Sequence, residues 1–234
     1  MSTDIQNSDS MCCGARNTQL PEPTLRRLPW YLAYLTKLRH DGVVNVSSTR
    51  IAAEVGVDAS QIAKDLSFLN IRGKTRIGYE VAALEETLRA FLGFDNAHRA
   101  VVVGVGSLGS ALMVDRGLRR YGLEIVAGFD INPDVVGTTV SQLPVYHLDS
   151  IAERCRELRV SIAAVTVPVD SAQAVADTIT KAGIRALWNF TPCRIRVPEG
   201  IVVQNTSIYA PLAVMYNRLQ AMPGYGDNDF CQQS

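Results

Sequence analysis

The sequence predicts an α/β protein in which a winged helix-turn-helix module precedes a doubly wound parallel sheet. Residues 21–83 combine apolar positions at helical spacing with a turn glycine and a basic hairpin. From residue 100 onward, short apolar runs without polar alternation are separated by helical stretches, and a glycine-rich loop follows the first run. Runs of this kind are typical of parallel strands that are buried on both faces.

The composition indicates a globular chain whose charge is unevenly distributed. The 234 residues are 47% hydrophobic and have a formal net charge of zero. Between Thr24 and Glu80, however, the sequence contains nine Lys and Arg residues but only five acidic residues. A basic module beside an acidic remainder favours DNA binding joined to a ligand domain, because phosphate neutralisation dominates DNA affinity. A solvated basic surface is the alternative.

Targeting and cysteine patterns exclude several classes of protein. No apolar run approaches the roughly 18 residues that span a bilayer, and residues 1–20 lack the features of a signal peptide. We therefore expect a cytoplasmic protein without a membrane partner. Five cysteines without ligand spacing predict free thiols and no metal site. For Cys12 and Cys13, both redox sensing and an incidental pair in a polar tail stay open.

The pattern of elements divides the chain into six segments. They are a tail over 1–20, a winged helix DNA-binding domain over 21–83, a connector helix over 84–98, a Rossmann domain over 99–206, a C-terminal helix over 207–222 and a tail over 223–234. The tails are assigned because they are polar or rich in turn residues.

The first module begins with a helix of regularly spaced leucines, and Pro29 either starts or bends it. Ser47 and Ser48 then cap a second helix that continues to about Val55. Gly56 supplies the turn, and Asp58 and Gln61 are expected to cap a third helix from Ala59 to Leu69.

The third helix has one apolar face and one polar face. Ile62, Leu66 and Leu69 share the first, while Ser60, Lys64 and Ser67 share the second. Hydroxyl groups, one Lys and neighbouring Gln61 and Ala63 suit a major groove. An ordinary three-helix bundle with a solvated polar face is the alternative.

A basic wing is predicted over residues 70–81, where Gly73 and Gly78 bracket the tip of a hairpin. Its cations would follow phosphates or enter a narrow minor groove. A surface hairpin with exposed cations is the alternative. The candidate DNA-binding residues are Ser47, Ser60, Gln61, Ala63, Lys64, Ser67, Arg72, Lys74, Arg76 and Tyr79.

The glycine-rich loop follows the strand 100–103 and opens a helix, which is the context of a dinucleotide site. Its residues are Gly104, Val105, Gly106, Ser107, Leu108 and Gly109. Asp130 ends the next strand, where a carboxylate accepts hydrogen bonds from ribose hydroxyls. Ile131 and Asn132 follow it, without a cation for a 2′-phosphate, so NAD(H) is favoured over NADP. A glycine-rich turn that binds nothing, or binds CoA or FAD, is the alternative.

No catalytic residue is predicted. Only His147 of the three histidines lies in the sheet domain, and about forty residues remain after Pro192, too few for a substrate domain. Cofactor binding without a general acid or base is typical of a sensor. A small NAD-dependent reductase with a fused helical domain and a CoA- or nucleotide-binding adaptor are the alternative functions.

The ordered chain from Pro21 to about Gln220 resembles the Rex family of redox-sensing repressors. The resemblance rests on the segments 60–68, 78–79, 104–109, 128–130, 166–168 and 189–190, which occur in the family's order. It implies a homodimer whose C-terminal helix, here about Ser207 to Gln220, is swapped between the domains of the partner. It also implies binding to an inverted-repeat DNA operator under NAD⁺ and release under NADH. By position, Pro168 and Asn189 are expected near the nicotinamide end, and Val167 is a further candidate cofactor-binding residue.

Three departures from the family pattern affect these expectations. Ala63 stands where many relatives carry a basic residue, so base preference is expected to differ. The segments around Asp115 and Ser207 stand where many relatives show a Tyr and an Asp. The coupling between the two domains is therefore expected to use other residues in this chain.

Overall fold

The computed structural model describes residues 20–223, in two compact units divided between Leu92 and Gly93. The predicted tails lie outside the described residues except for Leu20 and Pro223. Cys12, Cys13 and Cys231 lie outside them as well.

The first unit contains four helices and a small two-stranded sheet among its described residues. Its elements are α1 (Glu22–His40), β1 (Asn45–Val46), α2 (Ser48–Val55), α3 (Ala59–Ser67), β2 (Tyr79–Glu80) and α4 (Val81–Leu92). Helix α1 runs through Pro29 instead of starting there. Its first turn holds a different proline, Pro23, at a position where a missing N–H costs nothing. Its inner face is buried, and Leu28, Leu32 and Leu35 on that face are at most 1% exposed.

The helix-turn-helix forms with one correction to its capping. Ser47 caps α2 by accepting a hydrogen bond from the Arg50 N–H at 3.1 Å, and Gly56 has a φ of 70° in the turn. The predicted cap of α3 is wrong, since the side chain of Asp58 makes no capping bond and that of Gln61 turns to Asp65. Helix α3 also ends at Ser67, two residues before the predicted end.

The wing pairs differently from the predicted hairpin. Lys74 and Gly78 exchange two backbone hydrogen bonds of 2.8 Å, which close a tight tip. Beyond it, Tyr79 pairs with Val46 of β1 rather than with the first arm of the hairpin. The apolar ring of Tyr79 is thereby buried at 8% exposure, which an isolated hairpin could not achieve.

The predicted connector over 84–98 is not a separate element. Helix α4 starts earlier, at Val81, and packs against α1 through buried Leu84 and Leu88. It ends at Leu92, and residue 98 already belongs to the first strand of the second unit.

The second unit is a seven-stranded sheet with helices on both faces. Its strands are β3 (His98–Val103), β4 (Leu123–Asp130), β5 (Thr139–Val140), β6 (Leu143–His147), β7 (Ile162–Val165), β8 (Ala186–Asn189) and β9 (Val202–Asn205). Its helices are α5 (Ser107–Val114), α6 (Gly117–Arg120), α7 (Ile151–Glu157), α8 (Ala172–Lys181) and α9 (Tyr209–Gln220). The order is β5-β6-β4-β3-β7-β8-β9, and only β5 is antiparallel to its neighbour.

Two apolar layers confirm the doubly wound α/β fold. Ile151 of α7 and Ile179 of α8 pack on one face of the sheet with Phe129. Met113 of α5 packs on the other face with Val102. The strand order reverses between β3 and β7, and ligands of such sheets bind at the carboxyl ends of the strands at that point.

Helix α9 lies within the predicted segment 207–222 and differs from α5, α7 and α8, each of which has at least two buried residues. None of its residues is buried. Val214, Met215 and Tyr216 are each about half exposed, at 53%, 47% and 54%. Apolar side chains on a helix normally face a core. Within residues 20–223, no part of the chain buries those of α9.

Candidate nucleotide and DNA-binding sites

Each glycine of the loop after β3 meets a different steric demand. Gly104 has a φ of +96°, and a Cβ there would lie 2.8 Å from the Val167 side chain. At Gly109 a Cβ would lie 2.0 Å from the carbonyl oxygen of Gly104. A Cβ at Gly106 would meet nothing within 4 Å, although Gly106 stands at the N-terminus of α5. Two glycines thus permit close packing, and the third faces open space at the positive end of a helix.

The Asp130 carboxylate is oriented by the backbone around it. Its Oδ2 accepts a hydrogen bond from the Val105 N–H at 2.6 Å. Its Oδ1 accepts bonds from the N–H groups of Ile131 and Asn132 at 2.7 and 2.9 Å. A carboxylate held at the end of β4 beside the glycine loop stands where a ribose would be recognised.

A cavity of about 440 Å³ lies at the carboxyl ends of β3, β4 and β7. It brings together six of the predicted cofactor-binding residues: Gly104, Gly106, Asp130, Ile131, Val167 and Pro168. Leu148, Ser171 and Val175 also line it. Sequence reasoning missed these three. Leu148 directly follows β6, and such positions are a general signal for a site of this kind, whereas Ser171 and Val175 lie further along, just before α8 and within it.

The other predicted cofactor residues lie behind or beside the cavity. Val105 packs into the core on the α5 face, and Gly109 serves close packing. Ser107 and Leu108 begin α5 without lining the cavity, and Leu108 is 37% exposed.

The expectation for Asn189 needs a correction, because its side chain is fully buried and hydrogen-bonded to the loop after β8 and to β9. Its Nδ2 donates to the Cys193 carbonyl at 2.7 Å and to Asn205 Oδ1 at 2.9 Å. Its Oδ1 accepts bonds from the N–H and Oγ1 of Thr191 at 3.0 and 2.7 Å. Asn189 therefore shapes the loop after β8 and does not line the cavity.

A basic groove lies in the first unit between α3, the start of α2 and the wing. Its volume is about 480 Å³. It brings together seven predicted DNA-binding residues: Ser47, Ala63, Ser67, Arg72, Lys74, Arg76 and Tyr79. The three wing cations are exposed, and Arg76 has a φ of 65° at the tip. Small residues on the helix side leave room for the edge of a duplex.

The remaining three predicted residues have different positions. Ser60 and Lys64 are exposed on α3 beyond the rim of the groove. The side-chain amide of Gln61 donates to Asp65 at 2.8 Å, so the expected contact of Gln61 with adenine is not supported. Tyr79 packs against Gly73, where a Cβ would lie 3.1 Å from its ring, and burial raises the pKa of Tyr79.

Residues 20–223 contain neither a metal-binding cluster nor a membrane-spanning helix. No cluster of three or more His, Cys, Asp or Glu side chains in this range is placed to hold a metal ion. No helix in the same range combines the length and apolarity needed to cross a membrane.

Family models match both units of the chain. Residues 19–67 match a model described as a putative DNA-binding protein N-terminus. Residues 95–193 match a model described as a CoA binding domain, which covers the loop and the cavity.

Known proteins resemble the chain over most of its length. A redox-sensing transcriptional repressor Rex from Porphyromonas gingivalis is 59% identical over 207 residues, covering 88% of this chain and 95% of that protein. The crystal structure of RSP with NAD⁺ and operator DNA has a TM-score of 0.83 at 31% identity, covering 87% of this chain and 94% of that one. RSP with NADH has a TM-score of 0.79, also at 31% identity, covering 87% and 96%. This chain belongs to the Rex family of redox-sensing transcriptional repressors.

Proposed function

We propose that this repressor binds an inverted-repeat DNA operator as a homodimer and leaves it when NADH enters the cavity of the second unit. We assign DNA binding to the unit that ends at Leu92, nucleotide binding to residues 93–206, and dimerisation to α9. We place its site of action in the cytoplasm. The observation that carries the proposal is the presence of a basic groove and a dinucleotide cavity in one chain.

The geometry of the cavity supports NAD(H) as the effector. The glycine loop and the start of α5 suit a pyrophosphate, and Asp130 suits an adenosine ribose. The same carboxylate disfavours the phosphorylated riboses of NADP and CoA, and neither Ile131 nor Asn132 supplies a cation to offset the repulsion. The complexes of RSP with NAD⁺ and NADH point to the same ligand.

The basic groove supports duplex DNA as the partner. Arg72, Lys74 and Arg76 line it from the wing, and Ala63 and Ser67 line it from α3. The cations suit phosphates, and the small side chains of Ala63 and Ser67 suit base edges. The complex of RSP with operator DNA supports the same use of this unit.

The unburied helix α9 supports a second copy of the chain as its partner. Its Val214, Met215 and Tyr216 are each about half exposed, so the helix offers apolar area that an isolated chain leaves in water. A two-fold dimer places two α3 helices on successive turns of DNA, which matches an inverted repeat.

The physical basis of release is the difference between the two redox forms at the nicotinamide. NAD⁺ carries one more positive charge there and a planar ring, so only groups near that end distinguish the forms. A ligand shifts a conformational equilibrium only by its differential affinity, and going from 1:99 to 99:1 takes about 5.5 kcal/mol.

The test is a gel-shift titration of an inverted-repeat operator against NADH and NAD⁺. We expect release by NADH at concentrations where NAD⁺ leaves the complex intact. Release by both forms at equal concentration, or no operator binding, contradicts the proposal. Turnover of NADH with a carbonyl substrate would instead favour the NAD-dependent reductase.

A further inference from the structure

Helix α3 carries a buried negative charge on the side opposite its DNA-facing surface. Asp65 is 0% exposed and follows Lys64 directly in the chain. A buried carboxylate is costly unless hydrogen bonds and an opposite charge compensate it, so its surroundings must be specific.

The compensation comes almost entirely from α1. The Arg27 guanidinium donates from Nε to Oδ2 at 2.7 Å and from Nη2 to Oδ1 at 2.8 Å. Tyr31 donates its hydroxyl to Oδ2 at 2.7 Å, and Thr24 donates to Oδ1 at 3.0 Å. Gln61, on α3 itself, donates the fifth bond at 2.8 Å. The five hydrogen bonds come from four side chains, three on α1 and one on α3, so the carboxylate joins the two helices.

This junction restricts how α3 can sit on α1. Apolar contacts such as those of Leu28 and Ile62 tolerate small rotations and slides, because they have no preferred direction. A two-pronged contact between a guanidinium and a carboxylate fixes both distance and angle. Rotating α3 by one residue moves its side chains by about 100°, which would take Ala63 and Ser67 away from the groove that they line.

We infer that Asp65, Arg27 and Tyr31 form a positioning cluster that sets the orientation of α3 on DNA and thereby controls discrimination between operator and other sequences. The inference rests on the proposed function, since it concerns the same DNA-binding surface. None of the three side chains is assigned a contact with DNA. Gln61 acts within the same cluster, which explains why its amide is turned away from the groove.

The experiment compares affinity for the operator with affinity for a random duplex of equal length. Tyr31→Phe removes one hydroxyl donor without changing the volume of the buried ring, and Asp65→Asn removes the charge. The control is Thr36→Val, because Thr36 donates at 2.7 Å to buried Glu85 and ties the same helix α1 to α4 instead of α3. Affinities are measured well below the melting temperature of each variant.

We expect Tyr31→Phe to lower the operator affinity about tenfold while the affinity for random duplex stays unchanged, since phosphate contacts tolerate misorientation. Asp65→Asn should have a larger effect in the same direction, and Thr36→Val should keep the wild-type ratio. The inference is overturned if Tyr31→Phe keeps the wild-type ratio of operator affinity to random-duplex affinity, or if Thr36→Val loses as much of that ratio as Tyr31→Phe does. Both outcomes can be read whether or not Asp65→Asn folds. A wild-type protein that prefers no operator would instead contradict the proposed function.

Discussion

The backbone N–H of Val105 donates a 2.6 Å hydrogen bond to Oδ2 of Asp130, so the carboxylate assigned to the ribose also holds the glycine loop. The two residues belong to different βα units and meet only because β3 and β4 are parallel neighbours. One side chain thus links loop geometry to nucleotide recognition.

Replacing Asp130 with Ala should weaken NADH binding by about 10- to 150-fold, because hydrogen bonds to a charged group contribute about 1.5 to 3 kcal/mol. The first unit is unchanged, so the variant should bind operator and release it only at higher NADH. The measurement is operator release against NADH concentration at fixed salt, with Asp134→Ala as an exposed acidic control. A wild-type release midpoint in Asp130→Ala would show that this carboxylate does not hold the cofactor.

Replacing both Lys64 and Arg76 with Ala should weaken operator binding and reduce its salt dependence. Up to about two phosphate contacts are lost, each contributing about 0.9 to the slope of log affinity against log salt. Alanine keeps a Cβ at the positive φ of Arg76, so the backbone strain there is unchanged. The measurement is operator affinity over a range of salt, with Lys181→Ala as the control. Wild-type affinity at moderate salt would contradict the assignment of this surface.

Gly78→Ala should disrupt the wing far more than Gly42→Ala disturbs α1. Both glycines have positive φ, at +88° and +74°. A Cβ at Gly78 would lie 2.3 Å from the Val46 carbonyl oxygen, whereas one at Gly42 would meet nothing within 4 Å. Gly42→Ala should therefore cost only the left-handed strain of about 1–2 kcal/mol. Thermal melts and operator affinity of both variants test this, and equal losses would mean that the β1–β2 contact is dispensable.

Acid should destabilise the first unit through Asp65. Burial raises the pKa of Asp65, but hydrogen bonds led by that of Arg27 outweigh burial and lower the pKa from 3.8 to about 2. A carboxyl group whose pKa falls on folding stabilises the protein above its unfolded pKa, and this stability is lost as pH falls from about 4 to about 2. The free energy of unfolding is measured by urea titration between pH 2 and 6. Between about pH 4 and about pH 2 it should fall less steeply with pH in Asp65→Asn than in the exposed control Asp58→Asn. Equal slopes in the two variants would contradict the prediction.

The Cys155 thiol should resist alkylation in the folded protein. Its side chain is packed against the α8 face of the sheet at 2% exposure, and burial raises the pKa of Cys155 to about 11. The thiolate is the reactive form, so little of it is present at pH 8. Iodoacetamide labelling followed by peptide mass spectrometry should modify half-buried Cys193 before Cys155. Faster labelling of Cys155 would indicate that α7 opens readily.

Local signals predicted the parts of the fold that depend on nearby residues. The buried strands, the glycine loop and the turn at Gly56 follow from apolar runs and from φ angles that glycine adopts readily. Strand β6 contains Pro144 and is only partly buried, and β9 is a short edge strand, so neither forms an apolar run that the sequence reveals. Short or half-covered strands leave weak patterns in a sequence.

The sequence by itself determined the two-module architecture, the dinucleotide loop and the basic character of the wing, since these depend on residue type and short spacing. Only the tertiary structure decided which partner each polar side chain takes. Arg27 and Asp65 are separated by 38 positions, and Asn189 and Asn205 by 16. From the sequence, Gln61 and Asn189 are both candidates for binding a ligand. In the fold, Gln61 is instead bonded to the Asp65 carboxylate, and Asn189 to the Cys193 carbonyl and the Asn205 amide. A buried polar group must be satisfied by whichever groups packing brings near, and packing is a property of the whole chain.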